Sequence, residues 1–190
     1  MPTPSRTSLD EIVASGRELI ETDGLRSLTM NRVAGMVGVR APSLYKHVAN
    51  RADLVRLIAE DVIGELLHRL EHAVTHEDPR ADLEALAHSF RNFAKEAPGA
   101  YQLVFQSLPA DARPDPERLE AAAAPVIRIA ERLVGRDRAL EAARTFTAWA
   151  HGFVSMELAG VFRMGGDVDR AFAFGAERLG QAIAEYSLTS

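Results

Sequence analysis

Leu54, Ile58, Val62, Leu66 and Leu70 recur every fourth residue, and Leu57 widens the stripe. A spacing of about four returns to one face of an α-helix, so this stretch must be a long helix that buries that face. The same period runs through Ile12, Val13, Leu19 and Ile20, through Val33, Ala34 and Val37, and through Leu83, Leu86, Phe90 and Phe93. No stretch alternates as a strand. An all-α chain follows. Its 190 residues suffice for one ordinary domain or two small ones, and its 47% hydrophobic content is enough to fill a core.

Local punctuation divides the chain. Ser8 and Glu11 have the spacing of a capping box, and Asp23-Gly24 ends the helix they open. Thr29 caps a second helix and Gly38 closes it. Pro42 suits the first turn of a third helix, which Leu44 anchors in the core. Asn50 caps the long fourth helix, and Asp78-Pro79 begins a fifth. Pro98-Gly99 interrupts, and a short helix passes through Tyr101 and Phe105. Pro109, Pro114 and Pro116 mark the clearest loop, over 109–116. A helix then runs to about Val134 with a kink or restart expected at Pro125. Two more are expected at about 137–163 and 167–186, separated by Gly165-Gly166 and capped by Asp167.

The charge is unevenly spread. The chain carries a net charge of −5, which alone argues against a nucleic-acid partner. Residues 1–50 nevertheless hold six basic and five acidic side chains, leaving 16 basic and 22 acidic for the remainder. No acid lies between Asp23 and Asp53, whereas Arg26, Arg32, Arg40, Lys46 and Arg51 all fall there. Local field, not net charge, governs attraction to phosphate. A basic block on a helix–turn–helix pattern points to double-stranded DNA. Residues 1–50 form the expected DNA-binding domain and 51–190 a second helical domain.

Such a site works by positioning. The start of a short helix enters the major groove while flanking groups hold phosphate. Thr29 sits at a helix N-terminus, where a phosphate can meet its hydroxyl and nearby N–H groups. Arg40, Ala41, Pro42 and Ser43 lead the recognition helix and are placed for base edges. Arg40 suits guanine O6 and N7, while Ala41 and Pro42 offer only apolar contact. Tyr45, Lys46 and His47 follow, with Tyr45 and Lys46 assigned mainly to backbone oxygens, and Arg51 is a further phosphate candidate.

Leu44-Tyr45, His47-Val48, Asn50-Arg51 and Leu54, preceded by Val33-Ala34 and Val37-Gly38-Val39, resemble the DNA-binding region of the TetR family of bacterial transcriptional regulators. The resemblance covers roughly residues 8–55. It implies about nine helices, a homodimer, and a C-terminal ligand domain whose occupancy alters DNA affinity. Arg40 departs from the pattern, since Ser or Gln often follows the Val-Gly-Val turn.

Aromatic residues gather in the C-terminal part. Phe90, Phe93, Tyr101, Phe105, Trp149, Phe153 and Met156, with His151 and Glu157 as the polar groups among them, form the expected pocket wall for an apolar or aromatic effector. Trp149, His151 and Gly152 also resemble the Trp-x-His-Gly signature of one C-terminal subgroup of the family. Small residues crowd the last two helices (Ala148, Ala150, Gly152, Ala171, Ala173, Gly175 and Ala176), which suits a four-helix homodimer interface. The alternative is packing within one subunit.

Other chemistries have less behind them. His68, His72 and His76 lie at i, i+4 and i+8, but without cysteine they read as a solvated face and not as a metal site. No nucleophile motif or Gly-rich phosphate loop is present, and no cofactor is expected. An all-helical enzyme would have to use His151 and Glu157 as acid and base. A partner-binding dimer with a non-functional DNA head is the other alternative. With no apolar run near 18 residues, no membrane association is expected, and a cytoplasmic location is the default.

Overall fold

The computed structural model describes residues 7–75 and 77–186. Among these residues there are nine α-helices and no strand. They are α1 Leu9–Asp23, α2 Met30–Met36, α3 Ala41–Leu44, α4 Arg51–Ala73, α5 Pro79–Glu96, α6 Pro98–Phe105, α7 Pro116–Val134, α8 Arg136–Leu158 and α9 Val168–Tyr186. Short 3-10 turns follow α1 at Leu25–Ser27 and α6 at Ala110–Ala112. No described helix is long and apolar enough to cross a membrane. The chain divides into two compact units, one running to Gly64 and including Ala97–Leu119, the other made of Glu65–Glu96 and the chain from Glu120 onward.

In the first unit the capping box forms as its spacing predicts. The Glu11 N–H donates to Ser8 Oγ at 3.1 Å, and the Ser8 N–H donates to Glu11 Oε2 at 3.0 Å. Ile12, Leu28, Val33, Leu44, Leu54 and Ile58 are fully buried. Each such aliphatic contributes about 1.5–3 kcal/mol by leaving water. α1 can press on α4 because position 16 is glycine: a Cβ there would stand 2.6 Å from Ile58 Cδ1. Gly99 brings α6 equally close to α1, since its Cβ would lie 2.8 Å from the Ile20 carbonyl oxygen. Ala97 supplies no capping side chain, so Glu21 of α1 takes the first-turn donors of α6, Gly99 N–H at 3.1 Å and Ala100 N–H at 3.0 Å.

In the second unit α5 buries Leu83, Leu86, Phe90 and Phe93. The buried Asp82 carboxylate accepts from the Thr75 N–H at 2.7 Å and from Arg132 of α7 at 3.1 Å. α7 and α8 turn at Gly135, which has φ 78°, and pack Ala130 against Ala139 and Ala143. On α9, Phe172, Ala176 and Ile183 face inward.

Two boundaries differ from expectation. α8 ends at Leu158, not near 163. Gly160, at φ 64°, donates to the Glu157 carbonyl, and Val161 N–H donates to the Met156 carbonyl. That Schellman pair stops the helix before the Gly165-Gly166 break can. Pro125 does not divide α7, which runs unbroken from Pro116 to Val134 with Pro125 buried inside it. Burial of the surrounding apolar face outweighs the one backbone bond that a proline omits.

Candidate nucleic-acid interface

The turn that aims α3 is built by backbone chemistry. The Arg32 N–H donates to Thr29 Oγ1 at 3.3 Å, which caps α2. At the other end Gly38 has φ 73°, and Val39 N–H donates to the Ala34 carbonyl at 2.9 Å while Gly38 N–H donates to that of Gly35 at 3.3 Å. A residue with a Cβ would be strained at that φ. α3 is only Ala41–Leu44, and the following turn bonds His47 N–H and Val48 N–H to the Leu44 carbonyl at 2.9 and 3.0 Å. Leu44 and Val48 are buried on its inner side, which turns the other side outward.

Arg40, Pro42, Tyr45, Lys46 and His47 are exposed, Tyr45 by 53%, while Ala41 and Ser43 are half-buried. Among the described residues, neither Arg40 nor Lys46 forms an ion pair. Arg26 is exposed as well, whereas the other two basic residues of the block are committed. Arg32 pairs with Asp23, and Arg51 donates from Nε to the Leu28 carbonyl at 2.6 Å and from Nη2 to that of Leu25 at 2.7 Å. Arg51 thus ties the start of α4 to the segment preceding α2. Thr29 is exposed at the N-terminus of α2.

The start of α4 is fixed in turn. Asp53 N–H donates to Asn50 Oδ1 at 2.9 Å, and Asp53 Oδ2 accepts from the Ala49 N–H at 2.8 Å. That backbone donor, with Arg56 second, holds the Asp53 carboxyl below the usual carboxylate range.

The aromatic residues of the second unit gather around one side chain that periodicity did not single out. Phe172 is fully buried. Trp149 stacks on it at 5.1 Å, Phe153 meets it edge-on at 5.1 Å, and His88 at 5.3 Å. The Arg91 guanidinium lies 4.9 Å from its ring centre. Trp149 lies against the α9 backbone, where a Cβ on Gly175 would come within 2.4 Å of it. His151 is half-buried, and Met156 is 45% exposed. Phe90 and Phe93 are buried on α5, with Arg69 over the Phe93 ring. Tyr101 and Phe105 belong to the first unit and pair with each other at 4.9 Å. The spacing Phe172, Ala176, Gly180 and Ile183 was the available signal for Phe172 on α9.

Glu157 is held in an ion pair. Arg91 donates to it from Nε at 2.7 Å and from Nη2 at 2.6 Å, and Nη2 also reaches Asp169 at 2.6 Å. The Glu157 bonds, followed by that of Asp169, raise the guanidinium above its ordinary value, so it stays charged. The His68 and His72 rings lie 4.0 Å apart, and His72 Nδ1 contacts the His68 carbonyl of its own helix. His76 lies outside the described residues. No group of three or more potential metal ligands occurs among the described residues.

Comparison with known proteins agrees at both ends of the chain. Residues 6–58 match the bacterial regulatory proteins of the tetR family, and residues 83–179 match the tetracyclin repressor-like C-terminal domain. An uncharacterised helix–turn–helix transcriptional regulator of Mycobacterium tuberculosis is 32% identical over 83% of this chain and 73% of its own. Among solved structures, a Rhodococcus sp. RHA1 protein of unknown function superposes with a TM-score of 0.82 at 22% identity, over 96% of this chain and 100% of its own. A variant TetR from Acinetobacter baumannii AYE in complex with minocycline does so with a TM-score of 0.70 at 24% identity, over 95% and 98%. The relatives named for their activity are regulators and not enzymes. With both halves matched and the helix–turn–helix formed, the chain belongs to the TetR family of bacterial transcriptional regulators.

Proposed function

We propose that the protein is a cytoplasmic repressor that binds a palindromic operator as a homodimer and is released by a small apolar or aromatic effector. The observation that carries the reading is the exposed side of α3 and its following turn, where Arg40 and Lys46 stand without a carboxylate partner. Arg40, Ala41, Pro42 and Ser43 face base edges, with Arg40 on a guanine. Tyr45, Lys46 and His47 hold the backbone, and the Thr29 hydroxyl meets a phosphate at the start of α2. Arg51 contributes chiefly by fixing α4, because two of its donor groups are committed to carbonyls. Residues 1–50 serve as the head and 51–190 as the sensor and dimerisation domain.

Dimerisation through α8 and α9 is supported by what they leave exposed. Leu140, Met156 and Phe174 are 45%, 45% and 62% exposed, with Ala148, Ala171 and Ala173 exposed among them. A second copy would bury this surface. The Trp149, Phe153 and Phe172 rings, with His151 nearby in sequence, suit a flat apolar effector. The minocycline bound to the Acinetobacter TetR variant is a precedent for such a ligand on this fold.

Gel shifts of the full chain on its own upstream intergenic DNA, with competitor duplex across a salt series, test the reading. Saturable, sequence-selective binding with two protomers per site is expected. Equal affinity for every duplex, both there and in a selection from random sequence, would refute it.

A further inference from the structure

Glu60 is the one buried acid of the first unit among the described residues, only 7% exposed, and DNA contact does not use it. A buried carboxylate is costly unless its oxygens are satisfied. The groups that satisfy this one come from its own helix and from a segment more than 50 residues away. Oε1 accepts from Arg56 Nη1 at 2.9 Å and from the Asp115 backbone N–H at 3.2 Å. Oε2 faces Arg118 Nε at 3.6 Å.

The chain of contacts continues toward α3. Arg56 Nη2 donates to Asp53 Oδ1 at 2.6 Å, and Asp53 Oδ2 accepts the Ala49 N–H at 2.8 Å. Ala49 directly follows Val48, whose N–H bonds to the last residue of α3 and whose side chain is buried. A path of ion pairs and hydrogen bonds, completed by the Val48–Ala49 peptide link, therefore joins residues 115–118 to the C-terminal anchor of α3. Its far end is not packed solid: Arg56, Glu60, Asp115 and Arg118 border an open cleft of about 900 Å³. Displacement of 115–118 would withdraw donors from Glu60 and leave Arg56 to divide itself differently between Glu60 and Asp53.

We propose that Glu60 is a positioning residue for DNA binding, transmitting the placement of residues 115–118 through Arg56 and Asp53 to the turn that holds the recognition helix. This rests on the reading of Arg40–His47 as the DNA-contacting segment. The path itself exists in the free protein, so it can be probed with and without DNA.

The test compares the full-length wild type with Glu60→Gln and Arg118→Ala. Arg118 is 57% exposed, so its removal leaves the core intact if Glu60→Gln does not fold. Hydrogen–deuterium exchange of the free proteins reads the peptide covering 45–50, with a peptide from α9 as control. Gel shifts read affinity for a duplex selected by the wild type. Glu60→Gln is expected to speed exchange in 45–50 by about tenfold and to weaken the selected duplex by a similar factor. Its salt dependence should match the wild type, because no phosphate contact is lost. Arg118→Ala should move both readouts the same way by a smaller factor. Wild-type exchange in 45–50 for both variants would overturn the path, and altered exchange with unchanged DNA affinity would overturn the positioning role. If Glu60→Gln also speeds exchange in α9, Arg118→Ala decides. Should the wild type select no duplex, the DNA reading fails while exchange still decides the path.

Discussion

The recognition turn of the first unit and the α5–α9 contact of the second use basic side chains in opposite ways. At α3 and its turn, Arg40 and Lys46 point into solvent with no carboxylate beside them. In the second unit Arg91 is 5% exposed, enclosed by Glu157, Asp169 and the Phe172 ring, with Lys95 3.7 Å from both carboxylates. A cation kept in water loses little until a polyanion arrives, so its free energy is realised on binding. A cation taken out of water must be neutralised at once, and its free energy is realised on folding. Charge of one sign can thus serve recognition in one place and cohesion in another, and desolvation decides which.

The contrast is sharpest at Arg91. Arg91→Ala should destabilise the fold by about 3 kcal/mol, because the Glu157 carboxylate would lose both guanidinium hydrogen bonds with only Lys95 nearby. Denaturant titration measures this, and a loss under about 1 kcal/mol would erase the distinction. Arg40→Ala should leave stability within about 0.5 kcal/mol. It should cost about 1–3 kcal/mol of discrimination at one base pair, read from binding to a panel of single-base operator variants. Lys46→Ala should weaken all duplexes alike and reduce the slope of log affinity against log salt by about one. Loss of sequence preference instead would place Lys46 on a base edge.

The smallest expected effect concerns acid. Asp53 titrates below its unfolded value, so its stabilisation is complete above the ordinary Asp range and fades as pH falls through the folded value. Asp53→Asn should cost under about 1 kcal/mol at neutral pH, and the gap from wild type should narrow as pH falls through the folded Asp53 value. Thermal melts across pH measure both arms, and a gap that persists in acid would mean that the carboxylate charge is irrelevant.

Features set by a few adjacent residues were legible in the sequence. Ser8 with Glu11, Thr29 with the N–H groups after it, Gly38, Asn50 and Asp167 all form the caps and turns that their spacing predicts. The helix–turn–helix could be read for that reason, since a cap is decided within four residues. Competition between signals was harder. Gly160 and Gly165-Gly166 both offer a helix end, and the nearer one acts. Pro125 reads as a break until the face it helps bury is known. Long-range partners left no trace. Nothing near Arg51 foretells the Leu25 and Leu28 carbonyls 26 and 23 residues away, and nothing near Glu157 foretells Arg91, 66 residues earlier. All five basic residues of the acid-free block are exposed, but Arg32 and Arg51 are committed within the fold, so counting them overstated how many are free for a phosphate.

Trp149 is the chain's single tryptophan, and its indole lies on α9, stacked on the Phe172 ring and close against the backbone at Gly175. The molecule consequently carries its own optical gauge. Any event that parts α8 from α9, or slides an aromatic guest between those rings, must change the emission of that one fluorophore. An effector screen can be run on unlabelled protein, with no DNA in the cuvette.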